Sequence, residues 1–286
     1  MTDDAIRYAD APGGRLAYRE LGDPGAPAVL FLHGSGPGVT GWRNFGGSVP
    51  GFAEHFRCLV LESPGFGISD DRGGHPVVDA REAALELLDA LGVERTHVVG
   101  NSMGAIVGAG LAGLHPERVD RLVGIGGLGT TLFSPGPAEG IRLLTAFLAA
   151  PDRENLRRWL ESMVYDRGLV DDDMLAQRWE QVSAPGVIEA MRRLYDPAAI
   201  ASVASGEVSF DLAAISAPTL LFWGRDDRVT PVDMMILPMR MVPHAEIHIL
   251  PNCGHWVMVE RKDEFERQTV EFLRRPNRAD GSPAAE

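Results

Sequence analysis

The chain has 286 residues, 45% of them hydrophobic and 23% charged, with a formal net charge of -13 at pH 7. That size buries a large core in one domain carrying an insertion, and the acidic balance works against nucleic acid or an anionic membrane as partner, since both demand clustered Lys and Arg. No apolar run reaches the roughly 18 residues a membrane helix needs, and the acidic, polar first seven residues lack the basic start and apolar middle of a secretory signal, so a cytoplasmic protein is expected.

The early segment 15–21 reads as an antiparallel edge strand ahead of a Pro/Gly turn. Short apolar, β-branched runs at 28–32, 58–61, 97–99, 122–125, 219–223 and 247–250 read as buried strands. Between them, helical patterns occupy 78–91, with Ala83, Ala84, Leu87, Leu88 and Leu91 on one face, and 106–114. Strand and helix alternating in this way imply an α/β fold with a mostly parallel sheet covered on both faces. From 134 to 209 the strand signals stop, and amphipathic stretches at 139–149, 153–163, 172–181 and 187–194 take over. Connections in a plain α/β unit run about 2 to 6 residues outside the helix, so 134–209 is expected to be a helical cap inserted into a core of 1–133 and 210–275. The tail 276–286 is expected to be disordered.

The strand at 97–99 runs into Gly100-Asn101-Ser102-Met103-Gly104 and then a helix, the strand, tight turn and helix that a G-x-S-x-G nucleophile elbow requires. Its alternative is an ordinary small-residue turn. A serine hydroxyl is a poor nucleophile until a base takes its proton, and the base needs an acid to fix its tautomer. Both follow in chain order: Asp226 and Asp227 stand after the strand at 219–223, and His255 stands in Cys253-Gly254-His255-Trp256 after the strand at 247–250. The order Ser, Asp, His is that of α/β-hydrolases. Their usual spacing, glycine, two residues, the acid, three residues, proline, selects Asp227 over Asp226, since Gly224 and Pro231 flank it at those distances. His33 opens a glycine-rich loop, His33-Gly34-Ser35-Gly36-Pro37-Gly38, whose backbone N–H groups could face an oxyanion.

Other chemistries find little support. The lone lysine, Lys262, sits in a charged C-terminal stretch and is a poor Schiff-base candidate. Cys58 and Cys253 are too few for a disulfide scaffold or a Cys-based zinc site and are read as structural thiols in a reducing compartment.

With these residues assembled, the chain resembles the meta-cleavage product hydrolases of aromatic and steroid degradation. The resemblance rests on the 33–38 loop with Trp42-Arg43-Asn44-Phe45, Ser63-Pro64-Gly65-Phe66-Gly67, the 100–104 elbow, Gly126-Gly127-Leu128-Gly129, Glu139-Gly140-Ile141, Gln177-Arg178-Trp179 and Cys253-Gly254-His255-Trp256-Val257. It implies hydrolysis of a carbon–carbon bond in 2-hydroxy-6-oxo-hexa-2,4-dienoates, with no metal or organic cofactor. Carried over by position, it makes Ser35 and Met103 the oxyanion-hole donors, and Arg178, Asn44, Asn101 and Trp256 the polar lining around a substrate carrying a carboxylate. Met163 and Val229 fall in the pocket for the far end, where aliphatic side chains suit an alkyl or alicyclic group. Two departures stand out: Ala105 replaces a second glycine after the elbow, and Glu62 replaces the common aspartate before Pro-Gly. A carboxylesterase or lactonase with the same triad is the alternative, and a homo-oligomer is left open.

Overall fold

The computed structural model describes residues 5–196, 198–199 and 210–276. The expected tail beyond Pro276, and 200–209 at the end of the expected cap, lie outside the described residues. Eight strands are present: β1 (Arg7–Ala11), β2 (Gly14–Leu21), β3 (Ala28–Leu32), β4 (Arg57–Leu61), β5 (Thr96–Asn101), β6 (Val119–Ile125), β7 (Thr219–Gly224) and β8 (Ala245–Leu250). They pair in the order β1-β2-β4-β3-β5-β6-β7-β8. From β4 to β8 every pairing is parallel, for instance Leu30 opposite Leu59 and Val98, whereas β2 runs antiparallel to both β1 and β4.

The central strands read as continuous apolar runs because both sheet faces are covered: β3, β5 and β7 are buried at every residue. The segment at 15–21 is antiparallel as its pattern suggests, but it is not the edge strand. β1 pairs outside it, Ala9 opposite Leu16. β1 alternates exposed and buried positions in Arg-Tyr-Ala-Asp-Ala, a polar, half-solvated strand without the apolar run that marks the others.

Helices α1 (Gly41–Phe45) and α2 (Val49–Ala53) lie between β3 and β4, α3 (Pro76–Ala90) between β4 and β5, and α4 (Met103–Leu114) between β5 and β6. The short α1 explains Glu62. Its carboxylate is buried, accepts from the N–H groups of Gly41 at 2.6 Å and Trp42 at 3.3 Å, and pairs with Arg19 at 2.9 Å. An acid there meets the positive end of the helix and places Asn44.

Between β6 and β7 stand α5 (Glu139–Ala149), α6 (Arg153–Ser162), α7 (Asp172–Val182) and α8 (Val187–Leu194). Asp152 and Asp171 cap α6 and α7 by accepting from the N–H of Asn155 and Met174, each at 2.7 Å. The apolar faces of these helices, including Leu144, Phe147, Leu156, Leu160, Leu175 and Met191, join the core cluster. After β7 come α9 (Ile236–Met241), β8, α10 (Val257–Glu260) and α11 (Lys262–Leu273), which buries Phe265 and Phe272. No helix among the described residues is long and apolar enough to cross a membrane.

Candidate active site

β5 delivers Ser102 at its C-terminal end, and the chain reverses there into α4. Ser102 takes φ 55° and ψ -115°, a conformation L-residues rarely adopt. Its N–H donates to the carbonyl of Ile125 on β6 at 2.8 Å, which holds the turn against the sheet. The flanking glycines are required sterically: a Cβ on Gly104 would collide with Leu32 O, and one on Gly100 with Gly104 O. Close packing of the helix start on β3 forces the strained turn and leaves Ser102 at a cleft. Met103 opens α4, so its N–H has no carbonyl four residues earlier in that helix.

The β7–β8 side supplies the partners. Asp227 Oδ2 lies 2.7 Å from His255 Nδ1, and the carboxylate and the imidazole are both almost completely enclosed. Asp227 is held by its own loop: Oδ1 accepts from the N–H groups of Val229 at 2.7 Å and Thr230 at 2.9 Å, and Oδ2 accepts from Thr230 Oγ1 at 2.8 Å. With Nδ1 turned to the carboxylate, Nε2 is the free ring nitrogen, buried and without a hydrogen-bond partner among the described residues. His255 and Ser102 line the same cleft. Asp226 turns away and accepts from Cys253 N at 3.4 Å. Burial pushes the Cys253 thiol well above its ordinary value, as it does Cys58, raised to about 12, so neither is a ready thiolate.

The 33–38 loop is fixed from below. Ser63 N donates to His33 Nε2 at 2.9 Å, so that nitrogen is the acceptor and Nδ1 carries the proton it gives to Gly34 O at 2.6 Å. Burial lowers the His33 pKa, which keeps this neutral tautomer. Gly34 N donates to Asn44 Oδ1 at 3.1 Å, Asn44 Nδ2 to Asn101 Oδ1 at 3.2 Å, and Asn101 Nδ2 to Ile125 O at 3.2 Å. The two asparagines line the cleft and at the same time tie the loop to the elbow.

The α5–α8 insertion closes the cleft with Leu144, Trp159, Met163, Arg178 and Tyr195, opposite Val229 and Trp256. Arg178 is 5% exposed. Its guanidinium carbon stands 4.9 Å from the centroid of the Trp256 ring, and its Nη1 has no hydrogen-bond acceptor among the described residues. Burial, helped by repulsion from Arg43, pushes its pKa down to about 9, still charged at neutral pH. Gly38 takes φ +65° directly beneath the Arg178 backbone, where a Cβ would strike Arg178 O. Trp159 is buried, its Nε1 has no hydrogen-bond partner among the described residues, and it packs edge-on to Trp256, centroids 6.4 Å apart. No group of three or more His, Cys, Asp or Glu side chains that could hold a metal ion is present among the described residues.

One side of the insertion is bolted to the loops that carry Asp227 and His255. Arg228 donates to the carbonyls of Glu161 and Val164. His255 N donates to Met163 O at 2.8 Å, and Glu260 accepts from the N–H groups of Tyr165, Asp166 and Gly254. Thr230, Leu144, Trp159 and Tyr195 escape a reading of the sequence. Thr230 alone leaves a local trace, three residues past the acid; the others sit on or directly after amphipathic helices where nothing marks them.

A profile of the alpha/beta hydrolase fold family matches residues 27–262. The chain is 39% identical over 268 residues to a 2-hydroxy-6-oxo-6-phenylhexa-2,4-dienoate hydrolase of Comamonas testosteroni, covering 91% of each. It is 39% identical over 264 residues to a 2-hydroxy-6-oxononadienedioate/2-hydroxy-6-oxononatrienedioate hydrolase of Cupriavidus pinatubonensis, covering 87% of each. Among solved structures, a meta-cleavage product hydrolase of Pseudomonas fluorescens superposes with a TM-score of 0.83 at 28% identity over 93% of this chain and 97% of that one. The 2-hydroxy-6-oxo-6-phenylhexa-2,4-dienoate hydrolase of a Rhodococcus strain does so with 0.82 at 30% identity, over 95% and 99%. With the sheet order, the elbow and these relatives together, the chain belongs to the α/β-hydrolase family and, within it, to the meta-cleavage product hydrolases.

Proposed function

We propose that this protein hydrolyses the C5–C6 bond of a 2-hydroxy-6-oxo-hexa-2,4-dienoate produced by ring fission, in the cytoplasm, with the α5–α8 insertion acting as a cap over the site. The observation that carries the reading is Arg178: a buried guanidinium with no carboxylate partner among the described residues is costly unless a ligand supplies the charge. A dienoate presents a carboxylate beside an enol oxygen, which a planar guanidinium grips with two parallel hydrogen bonds. Trp256 under the guanidinium and the Asn44–Asn101 pair complete a polar end, while Met163, Val229 and Leu144 offer an aliphatic end for an alkyl or alicyclic group on C6.

The chemistry then follows from the groups in the cleft. Transfer of the 2-hydroxyl proton to C5 converts the dienol to a 2,6-diketone, so that the fragment leaving from C5 departs as a stabilised carbanion. His255 Nε2 takes the proton from Ser102 Oγ, or from a water in its place, as the oxygen attacks C6. The oxyanion at C6 accepts from the N–H groups of Ser35 and Met103. The C5–C6 bond breaks, its electrons pass to the departing 2-oxo fragment, and His255 gives its proton to C5; where Ser102 was the nucleophile, His255 then takes a proton from a water that attacks C6, and the Oγ–C6 bond breaks as the proton returns to Ser102 Oγ. Asp227 holds Nδ1–H throughout and favours the imidazolium formed in between.

The test is the bleaching of yellow ring-fission products from several catechols, run beside hydrolysis of a neutral p-nitrophenyl ester. The dienoate should be the better substrate, and Arg178→Gln should cost it roughly 10²-fold in kcat/KM while leaving the ester within a few-fold. Absence of dienoate turnover in the native enzyme would return it to the esterases, and equal losses on both substrates would make Arg178 a structural residue of the cap.

A further inference from the structure

The cap touches the oxyanion loop through a hydrogen bond between Tyr195 and Ser35, two residues 160 positions apart. Tyr195 follows α8, where its N–H closes the helix on Met191 O, and its hydroxyl lies 2.7 Å from Ser35 Oγ. α8 is itself tied down: Arg193 forms an ion pair with Asp71 at 2.6 Å, and Arg192 donates to Leu148 O at 2.9 Å. Tyr195 is thus carried by an anchored helix rather than by a loose side chain. Burial raises the phenol above its ordinary value, so it stays a neutral hydroxyl.

The loop shows why this contact matters. His33 and Gly34 are held by the core, through Ser63 N and Asn44 Oδ1. Past Gly34 no such bond from the core to Ser35 is present among the described residues, and Ser35, 4% exposed, bonds through its side chain to the cap. Ser35 is also the residue whose N–H the mechanism above aims at the C6 oxyanion. We infer that Tyr195 is a positioning residue: through Ser35 Oγ it sets the direction of the Ser35 N–H and makes a competent oxyanion hole conditional on the cap lying closed. This rests on the proposed role of Ser35 in the oxyanion hole. A separate set of contacts, through Arg228, Glu260 and Met163 O, bears on the acid and histidine loops instead.

Tyr195→Phe removes one oxygen and keeps the ring. Losing a whole oxyanion donor costs about 10²- to 10³-fold, so a misdirected donor should lower kcat by roughly 10-fold, with KM within about 3-fold, on a p-nitrophenyl ester and a dienoate alike. Ser35→Ala, which keeps the N–H, should lose a similar factor. The Tyr195→Phe/Ser35→Ala double variant should lose no more than either single one, because both remove the same bond. Additive losses, a loss confined to KM or to one substrate, or a lowered melting temperature with unchanged kcat would each overturn the inference. The ester arm keeps this distinguishable from the substrate reading: an enzyme that turns over no dienoate but shows the coupled kcat loss on the ester still has Tyr195 in this role.

Discussion

Asp226 and Asp227 are consecutive, yet it is Asp227 whose carboxylate meets the histidine, with Oδ2 at 2.7 Å from His255 Nδ1, while Asp226 accepts from Cys253 N at 3.4 Å. Three donors from residues 229 and 230 hold Asp227 in that orientation. Asp227→Asn should therefore cost roughly 10⁴-fold in kcat, because an amide donor at that position favours the wrong imidazole tautomer. Asp226→Asn should stay within a few-fold of the native enzyme. Kinetics of the two variants on one substrate decide the matter, and reversed penalties would remove Asp227 from the triad.

Ser102, the proposed nucleophile, has a strained backbone at φ 55°. Ser102→Ala should remove nearly all hydrolysis while the protein stays folded; a variant keeping more than a tenth of native turnover would exclude Ser102 as nucleophile. Ser102→Gly should be equally inactive but more stable than Ser102→Ala by about 1 kcal/mol, since relief of strain outweighs the added freedom of the unfolded chain. Thermal melts of the two inactive variants make the comparison, and a lower melting temperature for the glycine variant would contradict it.

In its proposed role Arg178 serves the ligand at the expense of the free protein. Arg178→Met replaces a buried charge that has no ion-pair partner among the described residues by an apolar side chain of similar length, and should raise the stability of the ligand-free enzyme by about 1 to 2 kcal/mol after loss of the contact with Trp256. The same change should abolish dienoate turnover. A drop in the urea midpoint would mean that the cap needs the guanidinium for its own packing.

His97, at the start of β5, is 7% exposed against Phe56, and burial lowers its pKa from 6.5 to about 4. The folded value lies below the unfolded one, so the unfolded chain binds the extra proton first. Stability is unaffected above pH 6.5 and falls as the pH drops from there towards 4, by at most roughly 3 kcal/mol from this group. His97→Leu should lose less stability than the native protein between pH 7 and pH 4.5. Urea unfolding at the two pH values measures the difference, and parallel losses would show that His97 does not titrate on unfolding.

Much of the fold and the outline of the site can be read along the chain. The buried strands announce themselves by apolar runs because both sheet faces are covered, and α5 and α8 fall where their helical periodicity places them. The elbow is legible because strand, glycines and helix are contiguous and the steric demand is local. β1 is not legible: a half-solvated outer strand with Arg7, Tyr8 and Asp10 has no apolar signature. Glu62 shows the same limit from another side, since its helix-holding role depends on Gly41 and Arg19, which the chain brings to it only on folding.

What the sequence by itself determined was the order of chemical groups, Ser102, Asp227 and His255, each just past a strand, because local backbone sterics and periodicity act between near neighbours. Tertiary structure decided which polar groups found partners. Arg178 looks like any solvated arginine on an amphipathic helix until α7 is laid over the 33–38 loop, and then it is buried beside Trp256 with no carboxylate partner among the described residues. Tyr195 acquires meaning only when α8 brings its hydroxyl to Ser35. Burial and pairing are properties of the assembled surface, summed over segments 78 residues apart for Arg178 and Trp256 and 160 apart for Ser35 and Tyr195, and no short window of sequence contains both members of such a pair.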